Sequence, residues 1–172
     1  DIANGWSKRL RSFAVDDVKI EVAYESNPDK YGPQVVKLYK LKNDAEHKLG
    51  KDPLPDGVYR VLREDGAGGL AWVGRDEQKY IPVGEKLEIN LGPDGLISLE
   101  DRLMDFSRLD FEFDGHKNVT GWVERAPMRI EIRNSKAGAV PVKITRILEG
   151  DWDLEPGFDP AVATWTKKDL RT

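Results

Sequence analysis

Short segments in which apolar and polar residues alternate recur along most of the chain. This pattern places every second side chain on one side of an extended backbone, as in half-buried β-strands. Nine segments show it: Val18–Tyr24, Val35–Lys42, Val58–Leu62, Leu70–Val73, Lys86–Leu91, Leu109–Phe113, Met128–Arg133, Val140–Ile147 and Ala163–Thr166. Because so many strands exceed what one open sheet holds comfortably, we predict an all-β fold, an antiparallel β-sandwich that is immunoglobulin-like or related.

Turn-forming residues separate these segments. Pro55-Asp56-Gly57, the glycine-rich run from Glu64 to Gly69 and the run from Gly92 to Gly95 all lie between apolar segments. Such short connections join antiparallel neighbours, because parallel strands need crossovers of about a dozen residues. The glycines at 66, 68 and 69 therefore lie in a hairpin loop and do not form a phosphate-binding loop.

One segment allows two interpretations. Ser98 can cap a short helix that places Leu99, Leu103 and Phe106 on one face, with Asp101 completing a capping box. The same residues can form a strand with a bulge. Helix signals are otherwise scarce, so we expect at most one short helix.

The segments Met128–Arg133 and Val140–Ile147 predict a specific hairpin. If they pair, Ile132 lies opposite Val142, Ile130 opposite Ile144 and Glu131 opposite Lys143. Apolar pairs then share one face and an opposite-charge pair lies on the other, a match that a slip of one residue destroys.

The domain organisation follows from length and from a repeated strand ending. The 172 residues suit one domain or two small β modules. Asn43 and Asn134 each follow an inward apolar side chain by two residues, which indicates either two related halves or one local solution used twice. We favour the second and predict a single sandwich domain over residues 1–172, with 1–16 as an optional N-terminal extension.

Charge and composition exclude several classes of function. The 27 basic and 31 acidic side chains are interleaved, so no positive stripe for nucleic acid is expected. The absence of cysteine removes disulfides and thiolate chemistry, and no apolar stretch approaches the roughly 20 residues that span a bilayer. Since the sequence begins at Asp1, we expect a processed or shortened product, whose upstream segment could have carried an export signal.

A series of short motifs carries a resemblance to a known family. In order, these are Leu38–Asn43, Leu49-Gly50, Pro53–Gly57, Val58–Val61, Trp72–Gly74, Ile81–Gly84, Leu91-Gly92, Ile130–Asn134 and Gly150–Trp152. Together they resemble the C-terminal β domain of bacterial mucoidy-inhibitor-A-type proteins, over roughly residues 36 to 155. The resemblance implies a β-rich domain in a bacterial protein that is extracytoplasmic, either periplasmic or secreted. It implies no catalytic residues.

Three carboxylates form the first candidate site. On a strand, Asp110, Glu112 and Asp114 project from one face, where they could bind Ca²⁺ or supply paired carboxylates for glycoside hydrolysis. A solvated face with Phe111 and Phe113 packed beneath it explains the same alternation, and we favour it. We therefore expect no metal and no cofactor. His47 and His116 are interpreted as surface histidines, because neither has a second histidine at metal-ligand spacing.

Tryptophans form the second candidate site. Exposed aromatic rings can bind sugars or anchor protein interfaces. Trp72 and Trp152 lie inside the family-like motifs and are expected in the core, whereas Trp122 and Trp165 flank polar stretches and are candidate surface residues. We expect a non-catalytic binding or structural module for a protein or cell-envelope polysaccharide, with Trp122, Trp165, Asp110, Glu112 and Asp114 as candidate binding residues. The alternative is a glycan hydrolase that uses the surface carboxylates.

Overall fold

The computed structural model describes residues 4–7, 11, 13–148 and 150–167. Ten strands make up most of its regular structure: β1 Glu21–Ser26, β2 Val35–Lys42, β3 Gly57–Glu64, β4 Leu70–Gln78, β5 Lys86–Pro93, β6 Ile97–Leu103, β7 Ser107–Phe113, β8 Val119–Arg125, β9 Met128–Asn134 and β10 Val142–Ile144. Helical structure is limited to α1 (Pro28–Tyr31) and a 3₁₀ turn (Ala45–His47). The prediction of an all-β fold with at most one short helix is confirmed.

The strands form one four-stranded and three two-stranded sheets. The larger sheet has the order β10-β1-β2-β5, and the ribbons are β3-β4, β6-β9 and β7-β8. All three ribbons are antiparallel, whereas β1 and β10 run parallel. No helix in the described part of the chain is long and apolar enough to cross a membrane.

All but one of the predicted strands overlap an observed strand. The exception is Ala163–Thr166, which has no regular structure. The helix considered at Ser98 is wrong, because Ser98 lies in β6 opposite Arg133. Pairing with β9 extends this segment, and the period of two places Ile97, Leu99 and Leu103 on one side of the strand.

The described residues form two compact units. The first runs up to Ala23 and then from Lys37 to Gly92, and the second covers Tyr24–Val36 and the chain from Pro93 onward. Each unit has its own apolar core, as described below. That the chain folds as one domain stays a prediction.

The core of the first unit lies between two layers of strands. Its buried members are Leu41 of β2, Leu87 and Ile89 of β5, and the bridged pair Leu54 and Ile81. Tyr59 and Val61 of β3 are half-buried and contact the same cluster. This sheet-on-sheet packing is the arrangement expected of a sandwich.

The core of the second unit is smaller. Tyr24, Val35 and Ile97 are buried, and Leu99, Val140 and Val142 pack against them. These residues come from β1, β2, β6 and β10, apart from Val140, which lies just before β10. Lys136 closes one side of this core, because its Nζ lies 2.8 Å from Asp94 Oδ2 and 5.0 Å from the centre of the Tyr24 ring.

The predicted hairpin between Met128–Arg133 and Val140–Ile147 is wrong. Instead β9 pairs with β6, and β10 pairs in parallel with β1. Lys143 lies opposite Glu25, at 3.6 Å, and not opposite Glu131. A physical reason is that β6 offers seven paired positions to β9, whereas Pro141 lacks the N–H that a longer β10 would need.

The predicted turns have mixed outcomes. The loop from Glu64 to Gly69 joins the antiparallel pair β3 and β4 as expected. The Asp65 carboxylate accepts the N–H groups of Ala67 and Gly69, which lowers the pKa of Asp65. The run from Gly92 to Gly95 does not join neighbours, because β5 and β6 belong to different sheets.

A buried asparagine organises the loops of the first unit. The side chain of Asn43 is fully buried, and its Nδ2 donates to the carbonyl oxygens of Asp52, Ile81 and Pro82 at 3.1, 3.4 and 3.2 Å. Its Oδ1 accepts the N–H of Gly50 at 2.8 Å. One side chain therefore contacts four main-chain groups from two loops.

The adjacent 3₁₀ turn carries a carboxylate with a strongly lowered pKa. Asp44 Oδ1 accepts hydrogen bonds from the His47 ring at 2.7 Å and from the His47 N–H at 3.2 Å. The ring contact is the main cause, and it lowers the pKa of Asp44 from 3.8 to about 2. His47 is accordingly half-buried and is not a free surface histidine.

We expect this pair to contribute to acid sensitivity. A carboxylate whose pKa is lowered by folding stabilises the native state above its unfolded pKa. Its contribution is therefore complete above about pH 4 and is lost as the pH falls toward about 2. The free energy of unfolding, measured by urea titration at several pH values, should fall less steeply over this range in Asp44→Asn than in the parent. Equal slopes would contradict the prediction.

Candidate interaction surface

The second unit contains a long two-stranded ribbon, named here the 97–134 ribbon. Strands β6 and β9 pair from Ile97–Asn134 to Leu103–Met128, and β7 and β8 continue from Ser107–Arg125 to Phe113–Val119. The N–H of Met104 donates to the carbonyl of Pro127 at 2.8 Å and joins the two ladders. At about 3.3 Å per residue, such a ribbon has a contour length of roughly 55 Å.

The tip of the ribbon is a tightly hydrogen-bonded turn. Asp114 Oδ1 accepts the N–H groups of His116 and Asn118, both at 2.8 Å, and Asp114 Oδ2 accepts from Asn118 Nδ2 at 2.9 Å. Lys117 has a positive φ of 66° within this turn. The hydrogen bonds from Asn118 are the main reason that the pKa of Asp114 is lowered.

One face of the β6-β9 part carries charges in rows. Glu100 lies directly opposite Glu131, and Arg102 lies directly opposite Arg129. Like charges at such positions repel each other. The repulsion is offset along the strands, where Arg102 contacts Glu100 at 2.8 Å and Arg133 contacts Glu131 at 2.9 Å. The Arg133 contact is the main cause of a lowered pKa of Glu131.

The opposite face of the same strands carries apolar side chains that are partly exposed, and Asp101 lies among them opposite Ile130. Leu103 and Met128 form one cross-strand pair, and Ile130 and Ile132 follow along β9. Their exposed fractions are 57%, 51%, 43% and 42% in that order. Further along the ribbon, the paired residues Leu109 and Val123 are also exposed.

An aromatic cluster lies in the β7-β8 part. The Arg108 guanidinium stacks over the Trp122 ring at 4.7 Å and lies 5.7 Å from the Phe106 ring centre. Both Trp122 Nε1 and Arg108 Nε donate to Glu124 Oε1, at 2.9 and 3.0 Å. The Trp122 hydrogen bond, followed by that of Arg108, lowers the pKa of Glu124.

The three predicted carboxylates all lie on the ribbon but not on one regular strand. The pairing of β7 shifts between Leu109 and Glu112, and Asp110 in this bulge has a positive φ of 50°. Glu112 lies opposite Gly121, and Asp114 closes the tip. The described residues contain no group of three or more histidine or acidic side chains that could hold a metal ion.

Phe111 and Phe113 do not pack beneath these carboxylates. Both are exposed, so the interpretation of a solvated face over packed aromatic rings is wrong. The bulge accounts for part of this, because it interrupts the alternation that would place both rings on one side. In addition, β7 pairs with β8 alone among the described strands, so no third strand of this sheet adds cover.

The tryptophans are distributed differently from the prediction. Trp122 and Trp165 are exposed as expected, with Trp122 on the ribbon and Trp165 in the irregular segment after β10. Trp72 was expected in the core but is exposed on β4. Trp152 is half-buried, with Lys167 Nζ 4.4 Å from its ring centre and its own Nε1 without a hydrogen-bond partner.

Sequence reasoning missed several residues of this surface. Strand β8 was not predicted, although Val119, Gly121 and Val123 alternate with polar residues and Trp122. Phe106, Arg108 and Glu124 were therefore not connected to Trp122. Leu103 and Met128 were visible as apolar residues, but the pattern alone gives no sign that their face lacks a cover.

The fold and the ribbon define an all-β protein with an extended, exposed β-ribbon. In comparisons with known proteins, no family model, no curated protein and no solved structure matches the chain.

Proposed function

We propose that the protein is a non-catalytic binding or structural module that joins another protein chain through the 97–134 ribbon. The observation that carries this proposal is the uncovered apolar face, on which Leu103, Met128, Ile130 and Ile132 each expose more than two fifths of their surface. Adjacent exposed apolar residues of this kind mark protein interaction sites more often than isolated ones do.

Energetics support a covered ribbon. A lone two-stranded ribbon is marginally stable in water, and three strands or a packed layer are normally needed. Burying apolar surface contributes about 25 cal/mol per Å². A partner that covers Leu103 and Met128 would thus stabilise both the complex and the ribbon.

Contacts around Trp122 favour a protein over a glycan. Sugar rings stack on open aromatic faces, but one face of Trp122 is already occupied by the Arg108 guanidinium. Aromatic and arginine side chains together are typical of protein interface centres. Asp114, a candidate for glycan hydrolysis, is committed to the turn at the ribbon tip.

The proposal is tested by partner capture with matched variants. We expect Met128→Lys to abolish capture of a protein from an extract of the producing organism, because the ammonium would be buried against an apolar partner. Val58→Lys is the control, since Val58 has the same exposed fraction as Met128, 51%, but lies on β3 in the other unit. Capture that depends equally on both positions would contradict a specific ribbon interface.

A glycan array measures the competing binding mode. We expect no glycan to be retained by the protein, and no difference between the parent, Trp122→Ala and Trp165→Ala. If the parent retains a glycan and Trp122→Ala does not, the ligand is a polysaccharide and the proposal of a protein partner is wrong. Release of sugar from any arrayed glycan would replace the binding module with a hydrolase.

Two expectations from the sequence accompany this proposal. Membership of the mucoidy-inhibitor-A-type family and an extracytoplasmic location both stay predictions. They are compatible with a module that acts by contact, since neither requires a reactive group in this chain.

A further inference from the structure

The outer edge of β9 is available for pairing. Strand β9 forms a ladder with β6, and among the described strands no other pairs with its second edge. Six of its seven residues are exposed. An exposed strand edge presents unpaired N–H and C=O groups and is a template for adding another strand.

The sequence of β9 is complementary to itself in the antiparallel direction. When two copies pair about Ile130, Arg129 of each copy lies opposite Glu131 of the other. Met128 of each copy then lies opposite Ile132 of the other, and the two Ile130 side chains meet. Every charged pair is attractive and every apolar pair shares one face.

Other pairings are less favourable. A centre at Glu131 sets this carboxylate against its own copy, and a centre at Ile132 sets Ile130 against Asn134. Pairing through β6 about Asp101 brings two carboxylates together. In addition, Asp101 is already bound by Arg146, whose Nε lies 2.9 Å from Asp101 Oδ2.

From this complementarity we infer that the partner of the ribbon is a second copy of the chain, joined to the first by antiparallel pairing of β9 with β9 about a two-fold axis at Ile130. This inference rests on the proposed function and names the partner. The product is a four-stranded sheet with the order β6-β9-β9-β6. Such an interface is isologous, because each copy contributes the same residues.

The pairing also balances the like charges within each copy. The row of Arg102 and Arg129 continues into Glu131 and Glu100 of the second copy. The arginine pair of one copy thus lies beside the glutamate pair of the other copy. The two-fold axis produces this arrangement twice. The join supplies about four to six main-chain hydrogen bonds, and it doubles the width of the apolar face.

Charge substitutions test the pairing by sedimentation equilibrium of the purified protein. We expect a reversible monomer–dimer equilibrium in the parent. Glu131→Arg should raise the dissociation constant at least about tenfold, since it turns two attractive pairs into repulsive ones. The double variant Arg129→Glu/Glu131→Arg should return it to within about threefold, because the exchange restores both pairs. Arg63→Glu is the control, because Arg63 is an exposed residue of β3, and it should leave the dissociation constant unchanged.

A single cysteine tests the position of the axis. The chain has no cysteine, so Ile130→Cys introduces the only thiol. Directly opposed residues of antiparallel strands have Cα atoms about 4.5–5.5 Å apart, within the range that a disulfide spans. We expect mild oxidation to crosslink Ile130→Cys into a species of twice the chain mass, and to leave Val58→Cys as a single chain.

The outcomes separate this inference from the proposed function. A parent protein that stays monomeric, a dimer that Glu131→Arg does not weaken, or an Ile130→Cys that does not crosslink would overturn the two-fold pairing. If the protein is monomeric but Met128→Lys still abolishes capture of a different protein, the ribbon is an interface and only the identity of its partner is wrong.

Discussion

Replacing Asn43 with alanine is expected to lower the free energy of unfolding by about 3 kcal/mol or more. The side chain is fully buried and bonds the carbonyl groups of Asp52, Ile81 and Pro82 and the N–H of Gly50. Alanine leaves the Asp52 carbonyl and the Gly50 N–H without this partner, whereas the carbonyls of Ile81 and Pro82 still accept the N–H groups of Leu54 and Glu85. Each unsatisfied buried group costs about 1–3 kcal/mol, although relaxation of the loops recovers part of the sum.

Asn134→Ala is the matched control. Asn134 also bonds the main chain, because its Nδ2 donates to the carbonyl of Gly138 at 2.9 Å and its Oδ1 accepts the N–H of Lys136 at 3.0 Å. However, Asn134 is exposed, so water can replace both contacts. We expect Asn134→Ala to lower the free energy of unfolding by less than about 1 kcal/mol. Urea unfolding followed by circular dichroism measures both variants, and equal losses would refute the role assigned to burial.

Replacing Gly50 with alanine is expected to lower the free energy of unfolding of the first unit by a similar amount, about 3 kcal/mol. A Cβ at this position would lie 2.6 Å from Asp44 Cα and 2.8 Å from the Asp44 carbonyl carbon. Both are main-chain atoms, so a side-chain rotation cannot relieve the overlap. Gly50 also has a φ of +82°, which L-residues adopt only with strain.

Gly66→Ala separates the two causes. Gly66 has nearly the same φ, +80°, but nothing lies within 4 Å of a Cβ built there. The decrease in the free energy of unfolding of Gly66→Ala should therefore reflect backbone strain alone, about 1 kcal/mol. The difference between the two variants measures the overlap with Asp44. Thermal unfolding measures the melting temperatures of both variants. Equal decreases would show that the close approach of Asp44 to Gly50 does not contribute to the loss of stability.

Alternation predicted which segments are strands but not which strands are partners. Val35–Lys42 was predicted with the bounds that β2 has, because a strongly apolar run of this length has few other solutions. The predicted partner of β9 was wrong, because Lys143 can form an ion pair with Glu25 as well as with Glu131. Period-two patterns fix the face of each side chain and leave the choice of neighbour to the whole fold.

Burial was the other quantity that local pattern did not determine. Asn43 and Asn134 end their strands in the same way, yet one is fully buried and the other is exposed. Ile130 and Ile132 continue the apolar alternation of β9, yet each exposes more than two fifths of its surface. The candidate surface was therefore only partly predictable: Trp122 was recognised, but its neighbours Arg108 and Glu124 meet it through pairing of β7 with an unpredicted strand.

The parallel pairing of β1 with β10 has a consequence for how the molecule is made. Tyr24 pairs with Val142, so the ladder joins residues more than a hundred positions apart. Contacts of such long range form slowly, because a large loop must close before they are gained. During synthesis, β1 emerges long before β10, so one edge of β1 stays unpaired until β10 has been made. Because β1 also pairs with the nearby β2, we expect β10 to be the last strand of this sheet to acquire protection against hydrogen exchange during refolding.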